Sequence, residues 1–192
     1  MRVIGGEYRS RRLISPPGMD TRPTPDRLRE ALFNILAPRI FGAVFVDAYA
    51  GGGSVGIEAL SRGARKAVFL ERSRDNTAII RENLQSLKAL SRAQVIPGGV
   101  KTYLGNTEAD IYFLDPPYDR PEEYEASLRL LESRTGAVIV AQHASREKLA
   151  GEYGKLRRTR VLKQGDNSLS FYSVPMPELS ITEPLAEIDS AV

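Results

Sequence analysis

The chain has 192 residues, of which 42% are hydrophobic and 27% charged, and its formal net charge is +3. This length favours one domain with at most a small appendage, and no run approaches the roughly 18 apolar residues that cross a bilayer. The absence of cysteine excludes disulfides, thiolate-bound zinc and every reaction that needs a cysteine nucleophile, pyrimidine methylation at carbon 5 included.

Basic residues concentrate in two stretches of the chain. Residues 176–192 hold four acidic residues and no basic one, and leaving these four out would raise the net charge from +3 to +7. The two basic stretches suit binding to a polyanion, although such stretches also occur on ordinary solvated surfaces. We predict that a set of arginines contacts nucleic acid: Arg2, Arg9, Arg11, Arg12, Arg157, Arg158 and Arg160.

Three regions are predicted along the chain. Residues 1–20 interleave apolar residues with arginines around two glycines, a pattern typical of a basic β-hairpin extension. Residues 21–175 form the main domain, which opens with a helix that Thr24 caps and Pro38 ends; Arg29 falls on its polar face. Residues 176–192 are acidic and without periodicity, which predicts a disordered tail.

Strand and helix patterns alternate through the main domain, as in a doubly wound parallel sheet with helices on both faces. Two further strands flank the turn-forming residues 164–167, which predicts an antiparallel hairpin at the end of the sheet. Predicted strands cover residues 43–48, 67–71, 94–96, 109–114, 137–141, 158–162 and 169–174, and predicted helices cover 54–62, 75–90 and 121–133.

A glycine-rich loop follows the first predicted strand and opens a helix. Gly51, Gly53 and Gly56 form the pattern G-x-G-x-x-G, which allows positive φ and close approach of a nucleotide-like ligand to the backbone. Glu71 ends the next strand, where a carboxylate can accept hydrogen bonds from ribose hydroxyls. Asp47 precedes the glycines, where it would repel a pyrophosphate but suits a cationic donor such as S-adenosylmethionine.

The sequence Asp115-Pro116-Pro117-Tyr118 at the end of the fourth predicted strand indicates methylation of a planar amine. The Asp115 carboxylate and the Pro116 carbonyl can accept the two amine hydrogens and so align the nitrogen lone pair with the donor methyl group. Tyr118 offers a face on which a base can stack, and the two prolines stiffen the loop. No metal is required for this chemistry, and the lone His143 is expected to be a capping or surface residue.

These residues leave several alternative functions open. DNA enzymes that methylate adenine N6 or cytosine N4 use the same four-residue sequence, but they usually carry a recognition insertion for which 192 residues leave no room. Methylation of a protein glutamine is associated with asparagine in place of Asp115. The remaining alternatives are a nicotinamide-dependent oxidoreductase and a non-catalytic RNA-binding protein.

The chain resembles the RsmD-type methyltransferases, which methylate guanine N2 in bacterial small-subunit (16S) ribosomal RNA. The resemblance covers about residues 1–174 and rests on the segments 1–6, 21–36, 47–56, 58–64, 115–118, 165–166 and 169–172. It implies an α/β, Rossmann-like class I S-adenosylmethionine-dependent methyltransferase fold, with a seven-stranded, mostly parallel sheet. The family pattern has glutamate before His143, where this chain has Gln142, and often an acidic residue where this chain has Gly98 and Gly99.

The motif and the resemblance together give a set of expected site residues. The expected catalytic residues are Asp115, Pro116, Pro117 and Tyr118, and the donor is expected to contact Asp47, Ala48, Tyr49, Ala50, Gly51, Gly53, Gly56, Glu71 and Arg72. The resemblance adds Arg22, Pro23 and Thr24, as a segment that closes over the donor or faces the target base. We expect a cytoplasmic monomer that uses S-adenosylmethionine, releases S-adenosylhomocysteine, and acts on ribosomal RNA within an assembled or assembling small subunit.

Overall fold

Apolar segments of the main domain become parallel strands because helices cover both faces of the sheet. The computed structural model describes residues 1–17 and 24–175, so the predicted acidic tail lies outside the described residues. The strands are β1 Val44–Ala48, β2 Lys66–Glu71, β3 Ala93–Pro97, β4 Ile111–Leu114, β5 Val138–Ala144, β6 Glu152–Tyr153, β7 Leu156–Gln164 and β8 Asn167–Ser173. The helices are α1 Asp26–Ile40, α2 Ser54–Ser61, α3 Arg74–Ser86, α4 Val100–Leu104 and α5 Glu122–Leu130, with a 3₁₀ turn at Leu90–Arg92.

The strand order is β3-β2-β1-β4-β5-β8-β7-β6. The first five strands in this order pair in parallel, and β8, β7 and β6 pair antiparallel. The predicted fold class, a mostly parallel sheet that ends in an antiparallel hairpin, is therefore confirmed. The two-residue β6 adds an eighth strand at the edge, and it pairs only with Leu156 and Arg157 of β7.

Three apolar clusters fix the helices to the sheet. One packs α4 and α5 against one face through residues such as Leu104, Tyr112 and Leu128, and another packs α1 against the other face through Leu32, Phe45 and Phe113. The third holds α2, α3 and the N-terminal segment together. Because both faces of β1 and β4 are covered, their ends are held rigidly, and the site residues follow those ends.

The first helix differs from its prediction in three ways. It continues past Pro38 to Ile40, although proline has no N–H to donate to the Asn34 carbonyl and the helix therefore lacks one hydrogen bond in its last turn. Thr24 does not cap it; the Thr24 hydroxyl donates instead to Gln142 Oε1 at 3.0 Å. Arg29 is fully buried rather than on a polar face, because it reaches Asp26, Glu58 and the Arg2 carbonyl.

The N-terminal segment pairs with itself through a single antiparallel bridge between Arg2 and Arg12, and regular strands do not form within residues 1–17. Its apolar residues Val3, Tyr8 and Leu13 are buried in the cluster shared with α2 and α3. The Glu58 carboxylate of α2 accepts from the amides of Ile4 and Gly5 at 2.8 and 2.9 Å. The segment is thus an integral layer over α2.

Other differences from the prediction concern short elements and boundaries. Two short elements, α4 and β6, were not predicted. The helix α3 ends at Ser86, before the 3₁₀ turn, rather than running to residue 90. A periodicity of four residues, seen in buried Val100 and Leu104, is the only sequence signal for α4. None of the helices within residues 1–17 and 24–175 has the length and apolar character that a membrane crossing demands.

Candidate active site

The carboxyl ends of the parallel strands surround a cavity of about 1000 Å³. Asp47 is the penultimate residue of β1, Glu71 ends β2 and Asp115 follows β4. These strands are neighbours in the sheet, so the three carboxylates converge at one edge. The cavity is lined by Met1, Ser15, Pro16, Thr24, Asp47, Tyr49, Ala50, Gly51, Gly52, Ser54, Val55, Glu71, Arg72, Ser73, Asn76, Gly99, Val100, Lys101, Thr102, Phe113, Asp115, Pro116, Pro117, Tyr118, Asp119, Arg120 and Glu123.

The glycine-rich loop takes backbone conformations that glycine favours. Gly53, directly before α2, has φ 77°, and an added Cβ at Gly56 would lie 2.3 Å from the Phe69 ring. Gly51 differs, because an added Cβ there would meet no atom within 4 Å and Gly51 lines the cavity. Gly56 therefore serves the packing of α2 on β2, whereas Gly51 leaves open the space that a ligand would take.

Two carboxylates hold this loop through backbone amides. Asp47 Oδ2 accepts from the Gly56 amide at 2.8 Å, and Glu71 Oε2 accepts from the Gly51 amide at 2.8 Å. Glu71 Oε1 also accepts from the Ser73 amide at 2.7 Å, directly before α3. The loop is consequently shaped before any ligand arrives.

Burial shifts the ionisation of two of these carboxylic acids. Desolvation raises the pKa of Asp47 to about 8, opposed by the Gly56 hydrogen bond and reinforced by repulsion from Asp115 and Glu71. Desolvation also raises the pKa of Asp115 to about 7, opposed by a hydrogen bond from Gln142. A cation bound between them would favour their charged forms.

The segment after β4 presents one buried and one open end. Pro116 is buried, whereas Tyr118 is 48% exposed and its hydroxyl donates to Asn167 Oδ1 at 3.1 Å. Asn167 begins β8, so the hairpin turn between β7 and β8 lies beside this segment. Tyr118 thus stands at the mouth of the cavity with part of its ring accessible.

Some expected donor residues do not line the cavity. Ala48 is fully buried because its side chain packs into the sheet core, and Gly53 and Gly56 lie behind the loop for the packing reason given above. Tyr49, Ala50, Gly51, Glu71, Arg72 and Thr24 do line it, whereas Arg22 and Pro23 lie outside the described residues.

Sequence reasoning missed Lys101 and Glu123 at the cavity, which lie around the expected residue Tyr49. Tyr49 has φ 63°, and its hydroxyl bonds Glu123 Oε2 at 2.9 Å and Ser127 Oγ at 2.8 Å. Lys101 of α4 forms an ion pair with Glu123 at 3.0 Å. The unusual backbone of Tyr49 is therefore supported from α5, and no local pattern in the sequence joins these elements.

The sole histidine is not a surface or capping residue as expected. His143 is 4% exposed, its Nε2 lies 2.9 Å from Ser170 Oγ, and its Nδ1 lies 2.9 Å from the Ala144 carbonyl. Burial lowers the pKa of His143, so the imidazole is neutral at pH 7. It ties β5 to β8 within the sheet.

The arginines predicted to bind nucleic acid do not form one patch on β7. The β7–β8 turn lies beside Tyr118, so Arg157 at the start of β7 is seven residues, or roughly 20 Å, from the edge that carries the cavity. Arg158 pairs with Tyr172 and Arg160 with Phe171, which pack on opposite faces of the sheet. Lys163 lies closest to the site edge, and Arg2 adjoins Met1 at the cavity, whereas Arg9 and Arg11 are further along the N-terminal loop.

A metal centre is not evident in the described part of the chain. No group of three or more histidine, cysteine, aspartate or glutamate side chains in residues 1–17 and 24–175 is arranged to hold a metal ion. The expectation that the reaction needs no metal stays a prediction.

Comparison with known proteins identifies relatives along nearly the whole chain. The family described as "Conserved hypothetical protein 95" matches residues 1–173. Ribosomal RNA small subunit methyltransferase D of Escherichia coli is 42% identical over 134 residues, which are 69% of this chain and 67% of that protein. The candidate rRNA methyltransferase YlbH of Bacillus subtilis is 33% identical over 181 residues, 90% of this chain and 98% of that protein.

A solved structure has the same fold. The structure of the candidate methyltransferase yhhF of Escherichia coli superposes with a TM-score of 0.76 at 34% identity, covering 90% of this chain and 96% of that one. The cavity at the strand ends, the match over residues 1–173 and these identities agree with one another. The chain therefore belongs to the Conserved hypothetical protein 95 family, in which ribosomal RNA small subunit methyltransferase D is found, and it is a methyltransferase.

Proposed function

We propose that the chain transfers a methyl group from S-adenosylmethionine to the exocyclic N2 amine of a guanine in small-subunit (16S) ribosomal RNA. The observation that carries this proposal is the position of Asp115 and Tyr118 at the mouth of the cavity that the glycine-rich loop and Glu71 enclose. The relative from Escherichia coli, named as a small-subunit ribosomal RNA enzyme, supports the RNA substrate.

The residues around the cavity fit a donor with a nucleoside at one end and a charged amino acid at the other. Glu71 retains acceptor capacity for ribose hydroxyls, since each of its carboxylate oxygens can accept a further hydrogen bond beside the one from a backbone amide. The amino terminus of α2 favours the donor's carboxylate, and Asp47 favours its ammonium and sulfonium charges. When bound, the donor supplies an electrophilic methyl group.

The acceptor amine is held by the segment after β4. Asp115 Oδ and the Pro116 carbonyl accept its two hydrogens, which directs the nitrogen lone pair toward the methyl group, while Tyr118 stacks on the base. The nitrogen forms its new bond as the bond from sulfur to the methyl carbon breaks. Because the amine becomes acidic only after attack, the proton can leave to water, and no dedicated base is needed.

The distribution of basic side chains bears on which form of RNA is bound. Arg157 and Arg158 lie toward the edge away from the cavity, and Arg158 and Arg160 face opposite sides of the sheet. The arginines of β7 therefore do not join Lys101 and Arg120 at the cavity near Tyr118, which predicts weak and salt-sensitive binding to free RNA. We propose that the substrate is a protein-containing small-subunit particle and that the enzyme acts as a monomer in the cytoplasm.

A comparison of substrates tests this preference. We expect kcat/KM for a protein-loaded small subunit to exceed that for a short free RNA hairpin of the same target sequence by at least about tenfold, because the particle adds contacts that the dispersed arginines cannot make. The measurement is labelled methyl transfer at matched salt. Equal rates on the free hairpin and the particle would contradict the particle preference, and methylation of duplex DNA alone would favour the DNA amine as substrate.

A further inference from the structure

Asp115 does not stand alone at the end of β4. The register of β4 and β5 places Leu114 opposite Ala141, so Gln142 follows beside Asp115. Gln142 Nε2 donates to Asp115 Oδ2 at 3.1 Å, and Gln142 Oε1 accepts from the Thr24 hydroxyl at 3.0 Å. We propose that Gln142 is a positioning residue that presents the Asp115 carboxylate to the target amine and is itself oriented by Thr24. This inference rests on the proposed role of Asp115.

Two of the three side chains, Gln142 and Thr24, are enclosed, whereas Asp115 lines the cavity, so the hydrogen bonds behind Asp115 are shielded from water. Gln142 is 1% exposed and Thr24 is 4% exposed, so a lost partner would not be replaced freely by bulk water. The backbone of Gln142 is also fixed, since it pairs with Leu169 of β8 and its carbonyl accepts from the Tyr124 hydroxyl at 2.9 Å. The amide is therefore held at a set distance from Asp115.

Only one orientation of the Gln142 amide satisfies both neighbours when Asp115 is ionised. A carboxylate can only accept, so the NH₂ end must face it, and the carbonyl end must then face a donor. The Thr24 hydroxyl can donate or accept, and it supplies that donor. The ionised carboxylate thus selects the amide orientation, and Thr24 stabilises that orientation by donating to the carbonyl end.

This arrangement also favours the charged form of Asp115. Its pKa is raised to about 7 by desolvation, and the hydrogen bond from Gln142 acts against that rise. Three other titratable groups lie around Asp115. Asp47 of β1 repels it electrostatically, with Glu71 at the end of β2 beyond Asp47, and Tyr124 of α5 lies near both Asp115 and Tyr118. The hydrogen bond from Gln142 therefore stabilises the negative charge of Asp115 against the effect of burial.

A purely structural role would leave a different signature. Gln142 does not line the cavity in the part of the chain that the structure describes, so donor binding does not depend on direct contact with it. If Gln142 served only packing, its replacement would lower stability and activity equally at every pH. If it stabilises the ionised Asp115, its replacement moves the acidic limb of the activity profile.

The test is the pH dependence of kcat/KM from pH 5.5 to 9.5 on small subunits for Gln142→Leu and Thr24→Val. Gln142→Leu removes the donor at similar size, and we expect its acidic limb to move up by about one pH unit, with roughly tenfold lower activity below that limb and recovery near pH 9. Thr24→Val should move the limb in the same direction by less. The matched control is Gln94→Leu, an exposed glutamine on β3 that contacts Lys66, and it should retain the unaltered profile.

Three accompanying measurements make each outcome decisive. Urea unfolding establishes that each variant folds, and titration with S-adenosylhomocysteine measures whether each variant still binds this molecule. Asp115→Ala is assayed alongside. An unshifted limb in folded Gln142→Leu and Thr24→Val, with Asp115→Ala inactive, overturns this inference and leaves the proposed function intact. Full activity of Asp115→Ala would overturn the role of Asp115 and the inference with it. If Gln142→Leu fails to fold, the shift or its absence in Thr24→Val decides.

Discussion

Replacing Asp115 with alanine is expected to lower kcat for methyl transfer by about 10²- to 10³-fold, the range measured when one preorganised hydrogen-bonding group is removed from an active site. The carboxylate is the acceptor that we propose aligns the amine, and water entering its place would hold the amine with less order. The measurement is single-turnover transfer of labelled methyl to small subunits. Asp119→Ala, which removes an exposed carboxylate at the same cavity, is the control and should reduce kcat by less than about threefold.

The ionisation of Asp115 adds a pH dependence to this prediction. Its pKa is raised to about 7, so the carboxyl becomes protonated as the pH falls through 7 and then donates where it should accept. Activity of the unaltered protein should therefore fall on the acidic side of about pH 7. Asp115→Asn keeps one acceptor oxygen and does not titrate, so it should be slower than the unaltered protein but lack this limb. An Asp115→Asn profile with the same limb would assign the titration to another group, with Asp47 the next candidate.

Replacing Glu58 with alanine is expected to lower the free energy of unfolding by about 3–5 kcal/mol, the cost of removing one partner from a buried ion pair. Glu58 is fully buried and accepts from Arg62 at 2.7 Å and from the amides of Ile4 and Gly5. Its other ion-pair partner, Arg29 at 3.7 Å, is also buried, and desolvation lowers the pKa of that guanidinium. Without Glu58, the partners left to the Arg29 charge among residues 1–17 and 24–175 would be Asp26 and the Arg2 carbonyl.

Urea unfolding measures this effect, with Glu125→Ala as the matched control. Glu125 also pairs with an arginine four residues later, but both side chains are more than half exposed, so its loss should cost less than about 0.5 kcal/mol. Glu58→Ala should additionally make the N-terminal segment more sensitive to proteolysis, because two of its amides lose their acceptor. A change below about 1 kcal/mol for Glu58→Ala would show that the Glu58 network does not anchor that segment.

Features that depend on local pattern could be predicted from the sequence. The run ending at Asp47 is apolar because a parallel strand is buried on both faces, and the following glycines mark a turn that other residues fit poorly. The segment from Asp115 to Tyr118 could be placed beside this loop because the carboxyl ends of parallel strands share one edge of a sheet. The family resemblance then narrowed the chemistry beyond what these patterns indicate.

Features that depend on contacts across the chain could not be predicted. The helical spacing of the apolar residues predicts Arg29 on the polar face of α1, whereas its buried partner Glu58 is supplied by another helix. The bond between Thr24 and Gln142 joins residues 118 positions apart, and it depends on the register of β5. Arg157 is remote from the cavity because of the direction in which β7 runs. A cluster of basic residues in the sequence does not reveal that direction.

The proposed reaction is tested most directly by identifying the methylated product. Small subunits that lack the modification are incubated with the protein and labelled S-adenosylmethionine, and the ribosomal RNA is digested to nucleosides. The account predicts label in N2-methylguanosine, present with the unaltered protein and lost with Asp115→Ala. Label in another nucleoside, or transfer to DNA with none to the subunit, would contradict the assignment of guanine N2 in small-subunit ribosomal RNA as the substrate.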